Sequence, residues 1–175
     1  GRSCKFWLRD DDLAADSPNF RQLRFLTRSA GVQVMCAVIP AQLEPAFAST
    51  LQGDDNMVFA QHGYAHANHE PAGLPKSEFG AARLLAARMA DLKAGWNLLE
   101  GLLGPHFFKV FVPPWNRVAD DLLEPLAQNL DANPGLQVRF FVGLTLDGHV
   151  HFFVGESPHV GIIAHGFGGL TIGNG

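Results

Sequence analysis

Short apolar runs alternate along the chain with longer stretches in which apolar positions recur every three or four residues, the pattern of a parallel α/β domain. Cys4 to Leu8 predicts a short strand, closed by the acidic run Asp10, Asp11 and Asp12. Ser17-Pro18-Asn19 supplies a cap and a first turn for a helix carrying Phe20, Leu23, Leu26 and Ala30 on one face and stopping at Gly31. Val32 to Ile39 is a β-branched apolar run broken by Pro40, a buried strand. Leu43, Phe47 and Leu51 mark a short helix, and Met57 to Ala60 a strand running into His62. The strongest helix carries Leu85, Met89, Leu92, Trp96, Leu99 and Leu103, ends at Gly104-Pro105, and presents a stripe that reads as core packing. Phe107 to Val112 is the next strand, stopped by Pro113-Pro114. A helix over about Asp120 to Leu130 places Pro125 near its first turn. Arg139 to Val154 reads as a hairpin around Asp147-Gly148, and Val160 to Ala164 as a last strand ending at His165. No helix fits between those two, so the alternation fails late in the chain.

Composition narrows the classes. With 175 residues, 47% apolar and 17% charged, the chain suits one globular domain over 1–175, its glycine-rich end from Gly166 a flexible tail. A net charge of −4 with scattered basic residues argues against a nucleic-acid partner, and no apolar run approaches the roughly 18 residues of a membrane span. The opening Gly-Arg-Ser-Cys-Lys has neither Met nor a signal pattern and reads as trimmed; a cytoplasmic location is favoured for this stretch, a secreted one if a leader was removed. Cys4 and Cys36, both in strand-like runs, are expected to be reduced core thiols. Oligomeric state leaves no trace in the sequence.

The residues fit for chemistry sit at strand exits: Asp10–Asp12, His62 with His66, Pro113-Pro114-Trp115-Asn116, and His165. In a parallel sheet those exits share one edge, where such folds place their sites. Two histidines four apart can share an ion, as His62 and His66 would. Gly63 stands where a zincin would need its catalytic glutamate, so this is not a zincin pair; it still wants a third ligand, for which a carboxylate is the usual choice at a hydrolytic zinc. The aspartate run offers that ligand and a second carboxylate for proton transfer. No G-x-S-x-G or G-x-G-x-x-G is present, which leaves serine-hydrolase and dinucleotide readings without support.

In that order, Asp-Asp, His-x-x-x-His, a Pro-Pro-aromatic exit and a final apolar strand ending in His, the chain resembles the polysaccharide deacetylase (NodB-homology, carbohydrate esterase) family from Phe6 to His165. The resemblance implies a distorted seven-stranded (β/α) barrel. It also implies a zinc ion, or another divalent transition metal, held by Asp12, His62 and His66, with Asp11 as general base; Asp10 and Asp11 form the alternative register. His165 would be the acid. Pro114, Trp115, Asn116 and Arg9 would face the substrate or oxyanion, with the Trp115 backbone N–H as donor. Three positions depart from the family pattern: Val112 where it has Arg before Pro-Pro, Gly63 where it has Ser or Thr after the first His, and Leu13 where it has Gly. Arg9 or Arg117 is a replacement for the missing Arg. The implied partner is a carbohydrate or small amide, deacetylated by hydrolysis; a small cyclic amide and a catalytically silent carbohydrate-binding barrel are the alternatives.

Overall fold

A computed structural model describes residues 8–131, 139–144 and 150–155. Its elements in chain order are β1 (Leu8–Leu13), α1 (Pro18–Ala30), β2 (Val34–Val38), α2 (Pro45–Leu51), β3 (Met57–His62), α3 (Leu85–Leu103), β4 (Phe107–Val112), α4 (Leu123–Asp131), β5 (Arg139–Leu144) and β6 (Val150–Gly155). The strands form one sheet in the order β1-β2-β3-β4-β6-β5. β1 to β4 are parallel and lie side by side in chain order, and the β5–β6 hairpin joins β4 antiparallel. Among the described residues the sheet is open. The seven-stranded closure expected from the resemblance is not seen there; Val160 to Ala164 and His165 lie outside them, as do Cys4, the hairpin turn and the tail.

The local physics of the central elements follows the sequence closely. Ser17 caps α1 by accepting the Phe20 N–H at 3.1 Å, and Gly31 ends the helix in the left-handed region at φ 63°. β2 is buried along its whole length, as an inner parallel strand between β1 and β3 must be. Cys36 at its centre is a free, fully buried thiol, pushed up to about 12 by burial first and by the nearby Asp10, Asp11 and Asp54 after it. The α3 stripe packs inward through Leu92, Trp96, Leu99 and Leu103, and Pro125 is the third residue of α4. Gly95 lets α3 approach β3 closely; a Cβ there would lie 2.4 Å from the Gln61 side-chain nitrogen. No described helix is long and apolar enough to cross a membrane.

Two expectations are corrected. The first strand does not stop before the aspartates but runs through them to Leu13. Parallel pairing uses backbone groups alone, and the register against β2 slips by one residue between Asp10 and Leu13, a bulge that places Asp12 at φ 65°. On α1 the inward face is Phe20, Leu23 and Thr27, while Leu26 is half-exposed. Thr27 tolerates burial because its hydroxyl donates to the Leu23 carbonyl at 3.0 Å.

Asp54, buried at the start of β3, ties that turn to α1. It accepts from Arg24 at 2.7 Å and Arg28 at 2.9 Å, and from the Asn56 N–H at 3.3 Å. Burial alone would raise its pKa; the two arginine hydrogen bonds and the backbone donor outweigh that and hold it below the ordinary 3.8. A depressed carboxyl stabilises the fold above its unfolded pKa and loses that contribution as pH falls through the folded one. Asp54→Asn is therefore expected to cost about 2 kcal/mol at neutral pH, as charged hydrogen bonds do, and to flatten the loss of stability below about pH 4. Urea titrations at pH 7 and pH 3 read both effects; an unchanged acid limb would show that Asp54 is not its source.

Candidate metal centre

The parallel order of β1 to β4 brings the exits of β1, β3 and β4 to one edge of the sheet. There Asp12, at the β1 bulge, meets His62, the last residue of β3, and His66 in the loop beyond it. The Asp12 Oδ1 lies 3.2 Å from His62 Nε2 and 3.3 Å from His66 Nε2. Those spacings match the edge of a tetrahedron around an ion with ligands at about 2.0–2.2 Å. All three donor atoms lie within 4.8 Å of one another, so a common point exists within about 2.8 Å of each. His62 is buried, His66 half-buried, and the Asp12 side chain 63% exposed, which leaves one side of the cluster open to solvent.

Hydrogen bonding decides which nitrogen of His62 faces the cluster. Its Nδ1–H donates to the Val112 carbonyl at 3.0 Å, so the Nε2 lone pair points at Asp12. Burial lowers the His62 pKa first and most strongly; Asp11 and Asp12 and the Val112 bond push the other way without reversing it. Two imidazole nitrogens and a carboxylate oxygen are a donor set that fits a divalent metal by geometry and by ligand type.

The loop after His62 is shaped by a residue without any sequence motif. Glu78, 1% exposed, accepts three consecutive backbone N–H groups, from Tyr64 at 3.1 Å, Ala65 at 2.7 Å and His66 at 3.2 Å. Gly63 (φ 60°) sits against it; a Cβ there would lie 2.0 Å from Glu78 Oε2 and 2.5 Å from Pro114 Cγ. The departure at Gly63 therefore has a structural cause: the space a Ser or Thr would fill is taken by Glu78. Further bonds pin the loop on its other flanks, from Gly63 N–H to Val112 (3.1 Å), Ala41 N–H to Tyr64 (2.9 Å) and the Gln42 amide to Ala65 (2.9 Å).

The other aspartates face different partners. Asp11 forms a two-point ion pair with Arg9, Nη2 to Oδ2 and Nε to Oδ1 both at 2.8 Å, so Arg9 and not Arg117 orients it. Asp10 pairs in register with Cys36 and stands apart from the metal cluster. At the β4 exit, Pro114–Asn116 forms a single turn with Trp115 at φ 52° and Asn116 at φ 53°. The Trp115 ring lies 4.3 Å, centroid to centroid, from His66, and Lys76 Nζ sits 5.9 Å from its centre. Asp12, His66, Trp115 and Asn116 are the only non-glycine residues of positive φ among the described residues. Strained backbone is thus confined to this edge of the sheet.

A cleft of about 390 Å³ opens beside the cluster rather than on it, between the β3–α3 loop at Glu70, Ser77 and Ala81 and the β4 exit at Asn116 and Asp120. His165, the expected acid, lies outside the described residues. Comparison of the chain with protein-family models, with curated proteins and with solved structures finds no match to any of the three.

Proposed function

We propose that the chain is a metal-dependent hydrolase of the polysaccharide deacetylase type that removes an acetyl group from an N-acetylated sugar or a related amide. The observation that carries this reading is the meeting of Asp12, His62 and His66, with both Nε2 atoms aimed at one carboxylate oxygen on the open side of a strand-exit edge. The consecutive parallel order of β1 to β4 supports the barrel reading, since a (β/α) barrel is laid down in that order.

Asp12, His62 and His66 would hold a zinc ion, which would supply Lewis-acid polarisation of the amide carbonyl and acidify water at the site. The chain does the rest. Asp11, held in place by Arg9, accepts the proton of the attacking water. In the β4 exit turn the Asn116 and Arg117 N–H groups are engaged by Pro113 and Pro114 (3.0 and 3.2 Å); the Trp115 N–H is the amide assigned to the oxyanion. His165 delivers a proton to the departing amine, without which the C–N bond resists cleavage.

Metal analysis of the purified chain followed by acetate release from a panel of N-acetylated sugars tests the proposal. The expected result is about one zinc per chain and acetate released in a metal-dependent way. Protein without metal after reconstitution would point to a silent binding barrel, and metal without acetate release from any sugar would point to a different amide.

A further inference from the structure

The mechanism above leaves Glu78 without a part, yet its carboxylate is buried and pairs with no Lys, Arg or His among the described residues. Isolated buried charge is costly, and a carboxylate survives there only when donors replace its water. The donors are the backbone N–H groups of Tyr64, Ala65 and His66, three in succession turned to one side of the loop. Consecutive amides converge in that way where the backbone alternates into the left-handed region, and Gly63 (φ 60°) and His66 (φ 56°) do so at the two ends of this stretch. His66 has a Cβ, and that conformation is uncommon for any residue but glycine. Its own N–H is one of the three that Glu78 holds.

We propose that Glu78 is a positioning residue of the metal centre, whose carboxylate fixes the turn from Gly63 to His66 so that the His66 imidazole reaches Asp12 beside that of His62 before an ion arrives. The inference rests on the metal-binding reading of Asp12, His62 and His66. A carboxylate is the right group for the task because all three partners are donors and it offers only acceptors. A glutamine of the same shape has one acceptor oxygen and would turn an N–H₂ toward at least one backbone N–H. His66, the ligand farthest from the sheet, depends on Glu78 most. His62, seated in β3 and bonded to Val112, is held without it.

Full-length wild type, Glu78→Gln and Glu78→Asp are compared by zinc affinity in chelator competition, by the visible spectrum of the cobalt-loaded form, and by hydrogen exchange at the amides of residues 64–66. For Glu78→Gln we expect zinc affinity to fall about 10–100-fold, the range for groups that orient ligands. The tetrahedral cobalt bands should weaken and exchange at 64–66 accelerate while the α3 amides stay protected. Glu78→Asp keeps the charge on a shorter stem and should fall between the two, and it decides the matter should the glutamine variant not fold. Zinc bound equally by wild type and a folded variant would overturn the role of Glu78 and leave the metal centre standing. A wild type that binds neither zinc nor cobalt would overturn the metal reading itself, and this inference with it.

Discussion

Asp12→Asn is expected to release the metal, and Asp11→Asn to keep it and lose turnover. Asp12 places one oxygen at 3.2 and 3.3 Å from the two imidazole nitrogens, so its removal takes away the only carboxylate of the cluster. A direct ligand matters more than a group that orients one, so zinc affinity should fall by more than about 100-fold. Asp11 touches Arg9 instead, and its amide variant should retain zinc while turnover drops about 10²–10⁴-fold, the usual worth of a general base. Both readouts come from the same preparations, zinc by competition titration and turnover by acetate release. Should Asp10→Asn abolish turnover while Asp11→Asn releases the metal, the roles are shifted by one residue along β1.

The second large effect is expected at Gly63. An alanine there must accept a left-handed backbone and push its Cβ against a buried carboxylate and the Pro114 ring, at 2.0 and 2.5 Å. The conformational part costs about 1 kcal/mol. The steric part falls on groups that cannot yield, because Glu78 is held by three amides and Pro114 is buried. We expect Gly63→Ala to destabilise the protein by about 2–4 kcal/mol, the conformational part plus the cost of an overpacked core, and to weaken zinc binding by displacing the loop. Gly31→Ala is the control: it has nearly the same φ, 63°, but no heavy atom within 4 Å of the added Cβ, so it should cost only the conformational part. Equal losses of urea stability in the two variants would show that Gly63 matters for its φ alone and that the loop can yield.

Much of this arrangement is written in local signals. Ser17 and Gly31 mark the two ends of α1 because caps act through neighbouring atoms, and the apolar run of β2 announces an inner strand because both its faces are covered. The histidines and aspartates are legible as a group because parallel strands bring their exits together whatever lies between. What escaped depends on contacts across the chain. Nothing near residue 78 shows that its carboxylate reaches back to Tyr64, Ala65 and His66, and an acidic residue between Ser77 and Phe79 reads as ordinary surface. The extent of β1 escaped for a related reason. Charged side chains suggest a loop, whereas the strand is set by backbone pairing with β2 and a one-residue slip. Arg9 stands two residues from Asp11, and only the extended strand between them shows that it can orient that carboxylate where Val112 cannot.

The four strained residues also bear on how such a chain could change over generations. A left-handed backbone suits glycine, so Trp115 and, to a lesser degree, Asp12, His66 and Asn116 hold positions where glycine would relieve strain. Trp115 is the sharpest case, a bulky ring at φ 52° that meets the His66 imidazole and lies under Lys76. Selection for thermal endurance alone would therefore tend to erode this edge of the sheet first, replacing the side chains of the proposed site with residues that merely fit. A lineage released from its chemistry would be expected to keep Leu92, Leu99 and Phe59 in the core and to lose His66 and Trp115 early.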